Sequence, residues 1–348
     1  MRLGGRLAAA IEVLEDIGRR HRPVADALKD WGLSHRFAGG GDRAAIGNIV
    51  YDALRRKRSA SWLLGEDTPR AIGFGALLLE WNQTAQSLNE ALDGDKFAPP
   101  LLNDDELKAI ADRQVNDAPP VVRADIPDWC EPLFEQAFGA SWVDEGAALA
   151  TRPPLDLRVN TLKADRNKVL AELAETGAKA ARIAPHGIRI PPIASDGRHP
   201  NVQAEPAFQK GWFEVQDEGS QIAATLAGAE AGMLVLDFCA GAGGKTLALS
   251  AAMDEQSAIL DVAKTFVKPG GLLVYITCSV FDEESGEQVA AFRDRNSGFV
   301  PVDHRQLWDS RFPGHEAAAR IGAAGGISLS PGLSGTDGFY VCALRKGS

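Results

Sequence analysis

The sequence predicts an α/β fold: an α/β domain of nucleotide-binding pattern at the carboxyl end, preceded by a small α+β unit and a helical amino-terminal domain. Three observations predict it. After residue 233, apolar strand-like runs alternate with helix-length segments, the rhythm of a nucleotide-binding sheet. A glycine-rich turn joins the first of those runs to the helix that follows. Residues 5–95, by contrast, repeat their apolar side chains at helical spacing. A length of 348 residues accommodates two or three domains.

The elements follow in order. Leu7, Ile11, Leu14 and Ile17 mark a first helix, and Ile46, Ile49, Val50, Ala53 and Leu54 mark another. Trp62 to Leu64 and Ala71 to Leu79 continue the pattern, and Gly39 to Gly41 read as a flexible break. Residues 1–95 are therefore expected as a helical domain. Residues 96–125, with two Pro-Pro pairs and acidic stretches, are expected as a linker carrying one short helix. Residues 126–215 read as the α+β unit: a helix with Asp128 as its N-cap, an alternating strand over Leu155–Asn160, a helix from Asp165 to Gly177, then strands and turns. Residues 216–348 form the α/β domain. Leu272–Thr277 is nearly all apolar, which suits the middle of a parallel sheet. Asp282–Asn296 reads as an amphipathic helix with acids in its first turn, and Val300–Val302 and Gly338–Leu344 as closing strands.

Composition narrows the function. The chain is 45% hydrophobic and 24% charged, as in a soluble globular protein. No apolar run approaches the roughly 18 residues of a membrane span, and the amino terminus lacks a signal-like core. Cysteines 130, 239, 278 and 342 form no C-x-x-C pair and no zinc-like cluster, so no metal is expected and a cytoplasmic location is. Cys130 and Cys342 lie in apolar patterns and read as core. The six histidines do not cluster and read as surface or loop residues. A net charge of −10 does not advertise a nucleic-acid binder. Two local basic clusters, Arg55–Arg58 and Arg152, Arg158 and Lys163, are the candidates for RNA contact.

The turn itself is Asp237-Phe-Cys-Ala-Gly-Ala-Gly-Gly-Lys-Thr246, after the strand-like Met233–Leu236. Glycines let the backbone approach a ligand closely, and a helix start offers free N–H groups. Gly244-Lys245-Thr246 completes a phosphate-binding G-x-x-x-x-G-K-[ST] pattern, but its opening glycine falls on Cys239. The acid Asp237 followed by Gly241, Gly243 and Gly244 fits the loop of S-adenosylmethionine enzymes. A plain strand–helix turn is the third reading.

A second signal lies at Thr277-Cys278-Ser279, where a strand ends. Ligands of open α/β sheets bind beyond the carboxyl ends of strands, so Cys278 can meet a substrate there as a thiolate nucleophile or pack as a small hydrophobe. Gln216-Asp-Glu-Gly-Ser-Gln221 opens the preceding helix. It is either ordinary capping or a way to place Gln216 or Asp217 near a ligand.

Together these segments resemble RNA cytosine-5 methyltransferases of the Sun/RsmB, or Nol/Nop/Sun, family. The match is carried by Leu236–Thr246, by Thr277-Cys-Ser279 with Glu283-Glu284, by Leu157-Arg-Val-Asn-Thr-Leu-Lys163 and by Val215–Gln221. Gly335-Thr-Asp-Gly-Phe-Tyr340 looks like the family's last strand, and residues 1–95 loosely resemble its NusB-like helical extension. The resemblance implies a Rossmann-like methyltransferase domain. It implies that Asp237, Cys239, Ala240, Gly241, Ala242, Gly243, Gly244 and Lys245 bind S-adenosylmethionine. It implies that Cys278 adds covalently to carbon 6 of a cytosine so that carbon 5 takes the methyl group. The substrate implied is RNA, ribosomal or transfer, with Arg158, Asn160, Gln216 and Asp217 as candidate contacts and the target base splayed out.

One family segment is missing. Only 41 positions separate Asp237 from Cys278, and none carries the family's D-A-P-C-S-G-like stretch or an acid for the cofactor's ribose. A full sheet needs roughly 60–90 further residues there. The interruption is placed near 253–256. Two rival functions follow: an RNA-binding relative that has lost the reaction, and a P-loop nucleotide hydrolase.

Overall fold

The structure is a computed structural model that describes residues 1–198, 200–229, 233, 259–323 and 325–348. They fall into two compact units. The first comprises Met1–Glu131, Gly146–Pro153 and Pro192–Pro200; the second comprises Pro132–Glu145, Pro154–Pro191 and Asn201–Ser348.

The first unit is helical: α1 (Leu3–Arg20), α2 (Val24–Ser34), α3 (Gly40–Arg55), α4 (Lys57–Leu64), α5 (Pro69–Glu80), α6 (Ala85–Leu92), α7 (Asp104–Asp112) and α8 (Pro120–Arg123). The stripe read from the sequence is the core, where Leu7, Leu14, Ile46, Ile49, Val50, Ala53 and Leu77 are buried. Local chemistry starts the helices. Pro69 opens α5 with Thr68 Oγ1 accepting the Ala71 N–H at 3.1 Å. Thr84 with Ser87, and Asn103 with Glu106, form reciprocal capping boxes. Gly75 lets α5 touch α4, since a Cβ there would overlap Ala60. Gly39 to Gly41, expected as a break, are the N-cap and first turn of α3, a place where glycine interrupts nothing. Residues 96–125 lie within this unit. The prolines there serve structure: Pro120 opens α8, and the Pro100 carbonyl accepts from Arg70 at 2.9 Å. Asp128 is the first residue of a 3₁₀ turn capped by Pro127, and its carboxylate pairs with Arg58. It is not the N-cap that the sequence suggested.

Helices α9 (Glu131–Phe138) and α10 (Trp142–Leu149) follow in the chain. The second unit then builds an antiparallel four-stranded sheet in the order β2-β3-β1-β4, from β1 (Leu155–Val159), β2 (Lys179–Ala180), β3 (Gly187–Ile190) and β4 (Phe213–Val215). The alternation in Leu155–Val159 sends Leu157 and Val159 into a core with Ile188, Ile190 and Phe213. Helix α11 (Arg166–Glu172) packs its Val169 there, capped by Asp165 Oδ1, which accepts from Lys168 N at 2.9 Å. Gly177, at φ 74°, ends the short 3₁₀ turn that follows α11. Helix α12 (Pro206–Gln209) precedes β4, and α13 (Glu218–Leu226) follows it.

The second sheet of this unit has β5 (Leu272–Thr277) against β9 (Phe339–Lys346). The other side of β9 is shared by β6 (Phe299–Pro301) and β8 (Ile327–Leu329), and β7 (Arg320–Ile321) extends β8. Helices α14 (Gly286–Arg295), α15 (His304–Arg311) and α16 (Pro331–Ser334) connect the strands. The acids of Asp282–Glu284 form a 3₁₀ turn. Ser285, at φ −129° and ψ −95°, breaks it from α14, so the single helix expected over Asp282–Asn296 is divided. Every strand pairing among the described residues is antiparallel. β5 has β9 as its one partner among those residues, with Leu272 and Ile276 partly exposed. It therefore does not sit mid-sheet among them. The apolar strand read at 233–236 lies outside the described residues, apart from Met233.

Candidate active site

Cys278 is the first residue beyond β5, and its thiol is free and exposed. The turn that presents it is held from several sides. Buried Thr277 accepts the Ser279 N–H on its Oγ1 at 3.2 Å, and Ser279 Oγ accepts the Phe281 N–H at 3.2 Å. Thr277 pairs with Tyr340 across the sheet. Beneath the turn lies Gly338, where any Cβ would overlap Val280. Further along, Tyr275 donates its hydroxyl to the Glu284 carbonyl at 2.8 Å, tying the acidic turn back to β5. Burial raises the Tyr275 pKa well above the ordinary phenol value, so this donor keeps its proton.

The N-terminus of α13 meets the same segment. Asp217 caps the helix, its Oδ1 accepting the Ser220 N–H at 3.0 Å. Its Oδ2 accepts the Asp337 N–H at 3.3 Å, one residue from Gly338. Gly219 makes the approach feasible, because a Cβ there would crowd Thr336 and Phe339. Burial, and then the neighbouring charge of Asp337, push the Asp217 pKa up to about 6. The Cys278 turn and the start of α13 are thus joined through three consecutive residues, Thr336 to Gly338.

A buried ion cluster underlies this junction. Arg189 on β3 grips Asp156 on β1 at 2.7 and 2.6 Å, lies 3.3 Å from Glu218, and donates to the Gly335 carbonyl at 2.6 Å. Glu218 is fully buried and accepts the Ile183 and Ala184 N–H groups at 2.6 and 2.9 Å. The Asp156 carboxylate also accepts the Glu218 N–H at 3.0 Å. Sequence reading passed over all three. The one available signal was the acid inside the apolar alternation Leu155-Asp-Leu.

The predicted site residues separate. Asp237, Cys239, Ala240, Gly241, Ala242, Gly243, Gly244 and Lys245, and the interruption at 253–256, lie outside the described residues. Arg158 is a cross-strand partner of Glu214, at 2.7 Å. Asn160 organises a turn, donating to the Gly211 carbonyl at 3.1 Å and accepting the Leu162 N–H at 3.2 Å. Gln216 donates to Ser220 Oγ at 3.3 Å, and its buried Oε1 has no donor among the described residues. That unfilled acceptor and Asp217 leave Gln216–Asp217 as the candidate pair at the start of α13.

Other expectations change. The Arg55–Arg58 cluster is consumed internally: Arg55 lies 3.6 Å from Asp52, Arg56 pairs with Glu80 and Asp125, Lys57 with Asp67, and Arg58 with Asp128. Arg152 likewise pairs with buried Asp52. Cys130 and Cys342 are buried, as expected. His304, expected as a surface or loop residue, is buried, and its Nε2 accepts the Ala343 N–H at 2.9 Å. The neighbouring strand β6 ends in Pro301, and the imidazole supplies the acceptor that β9 needs at Ala343. Among the described residues no group of three or more His, Cys, Asp or Glu side chains is arranged to hold a metal, and no helix is long and apolar enough to cross a membrane.

Known proteins match the same segments. A family described as Methyltr_RsmF/B-like, ferredoxin-like domain matches 126–192, and one described as 16S rRNA methyltransferase RsmB/F matches 249–345. A probable ribosomal RNA small subunit methyltransferase B of Synechocystis sp. is 27% identical over 281 residues, covering 72% of this chain and 61% of that protein. The methyltransferase B of an Enterobacter species is 26% identical over 304 residues, covering 63% and 66%. The chain therefore spans less than two thirds of either relative. The methyltransferase B of Erwinia tasmaniensis is 22% identical over 450 residues, with 97% of each chain covered. Since 450 aligned positions meet 97% of a 348-residue chain, on the order of a hundred positions have no counterpart here. The crystal structure of PH0851 superposes with a TM-score of 0.66 at 18% identity, covering 99% of this chain and 100% of that one. The crystal structure of NSun6 from Pyrococcus horikoshii with SFG superposes with a TM-score of 0.50 at 17% identity, covering 64% and 98%.

Proposed function

We propose that this chain, which matches RsmB/F methyltransferase family models over 126–192 and 249–345, methylates carbon 5 of a cytosine in RNA, ribosomal RNA first, through a covalent adduct with Cys278. The observation that carries the reading is the exposed thiol at the carboxyl end of β5, on a turn pinned by Thr277, Ser279 and Gly338. A fixed, accessible nucleophile is what covalent catalysis requires.

The Cys278 thiolate forms a bond to carbon 6 of the cytosine, and the electron pair of the 5,6 double bond moves toward carbon 5. S-adenosylmethionine would supply the methyl group that carbon 5 takes, with S-adenosylhomocysteine as the leaving group. Loss of the carbon 5 proton to a base then restores the double bond as the bond from Cys278 sulfur to carbon 6 breaks. Gln216 Oε1, an unfilled acceptor, fits an amine or hydroxyl donor of a ligand at the start of α13. Asp237 and 239–245 are the proposed cofactor loop.

A second reading, an RNA-binding relative without the reaction, is favoured by the missing segment between Asp237 and Cys278. One experiment separates them. Transfer of labelled methyl from S-adenosylmethionine to small-subunit ribosomal RNA is measured for the parent and for Cys278→Ala. The catalytic reading expects incorporation as 5-methylcytosine by the parent and none by the variant. Equal turnover by the alanine variant removes Cys278 as nucleophile, and RNA binding without incorporation by the parent selects the second reading.

A further inference from the structure

We propose that Lys168 and Lys210, set against the Trp212 ring, and Lys163, bonded to the Lys210 carbonyl, form a binding site for the phosphate backbone of single-stranded RNA. The inference rests on the reading that RNA is the substrate, and adds where its backbone docks.

The three ammonium groups converge from separate elements. Lys168 Nζ, from α11, lies 3.9 Å from the centre of the Trp212 ring, and Lys210 Nζ lies 4.9 Å from it. Lys163, from the turn after β1, donates to the Lys210 carbonyl at 3.2 Å. Gly211 makes that approach possible: its φ is 69°, and a Cβ there would sit 2.7 Å from Lys163 Nζ. Asn160 fixes the frame, its N–H donating to the Trp212 carbonyl at 2.8 Å and its side chain to the Gly211 carbonyl at 3.1 Å. Asn160 is thus a positioning residue for the platform.

Charge decides what the platform fits. All three lysines are exposed, and none has a carboxylate within 4.0 Å among the described residues. An indole face orients an ammonium group without neutralising it. The cations of Arg55–Arg58 and Arg152, by contrast, are already matched by acids. On a chain of net charge −10, attraction for a polyanion must come from such a local concentration, because the wider field opposes it. Leu162, 95% exposed beside Lys163, adds an apolar surface for an unstacked base.

The test uses the full chain without methyl donor and a labelled, short, single-stranded RNA, with anisotropy followed across a potassium chloride series. Each phosphate contact contributes about 0.7 to the slope of log affinity against log salt. The Lys163→Ala, Lys168→Ala, Lys210→Ala triple variant is therefore expected to lose about 2 from the slope and to bind roughly tenfold or more weakly at low salt. Lys57→Ala, which removes an already paired cation, is expected to leave the slope unchanged. A triple variant with the parent's slope overturns the platform and leaves the RNA reading standing. A parent that binds an acidic peptide but no RNA overturns both.

Discussion

The Arg189 guanidinium holds the Asp156 carboxylate through two hydrogen bonds, Nε to Oδ1 at 2.7 Å and Nη2 to Oδ2 at 2.6 Å. The same side chain reaches the Gly335 carbonyl and lies beside buried Glu218. One arginine thereby links the four-stranded sheet, the start of α13 and the loop beneath the Cys278 turn. Its planar fork suits this bidentate role in a way a lysine ammonium does not.

Removing that arginine leaves two carboxylates buried without their cation. Arg189→Ala is expected to cost about 3–5 kcal/mol of stability, read as a shift of the urea midpoint at unchanged slope. Arg189→Lys is expected to recover only part of it. An alanine variant as stable as the parent would show that the cluster carries no net energy.

Asp217 makes stability depend on pH in a defined direction. Its folded pKa, about 6, lies above the value of about 3.9 expected in the unfolded chain. Between those values the folded state binds more protons. Stability is therefore greatest at low pH as far as this group is concerned, and is lost as pH rises from about 4 to about 6. Asp217→Asn keeps a good N-cap and removes the titration. Set against the weakened bond to Asp337, a gain of about 1–2 kcal/mol at pH 7 and none at pH 4 is expected. Denaturation curves at the two pH values decide it, and a variant no better at pH 7 refutes the assignment.

His304 acts in the opposite sense. Burial lowers its pKa, with Asp303 partly offsetting the shift. The unfolded chain, titrating near 6.5, therefore binds the extra proton first as pH falls. The stability that neutral His304 contributes is present above about 6.5 and is lost below it. His304→Gln keeps an acceptor for the Ala343 N–H without a titrating group. The difference in melting temperature between pH 7.5 and pH 5.5 is expected to shrink in this variant, and an unchanged difference would exclude His304 as its source.

Gly338 and Val280 are expected to be coupled. Gly338→Ala places a methyl group in the space of Val280 and is expected to cost about 1–3 kcal/mol through overpacking. Val280→Ala vacates that space, so the double variant should be more stable than the sum of the single changes implies. Alkylation of Cys278, followed by peptide mass mapping, should change in Gly338→Ala and return toward the parent's rate in the double variant. Strict additivity would mean that the turn is not seated on Gly338.

Much of the scaffold was legible along the chain. The helical spacing of Leu7, Leu14, Ile46, Ile49 and Val50 marked the core of the first unit, and the alternation Leu155 to Val159 marked β1. Thr277-Cys278-Ser279 announced a thiol at a strand's end, and the thiol is there and exposed. These features repeat within one element or occupy adjacent positions, so local backbone geometry alone orders them.

The pairings of charges were not legible. Asp156 meets Arg189 across 33 residues and Glu218 across 62. The Arg55–Arg58 cluster, which looked like an RNA contact, is neutralised by Asp52, Asp67, Glu80, Asp125 and Asp128. Lys163, Lys168 and Lys210 came together only because Gly211 and Trp212 lie beside the turn after β1. Most helices and strands, the resemblance to RsmB/F methyltransferases and the candidate nucleophile could be read along the chain, because each is written in neighbouring residues. Which cations stay free and which carboxylates are buried was decided by tertiary structure alone. A charge's worth depends on its distance to partners and its exposure to water, and both are properties of the folded chain.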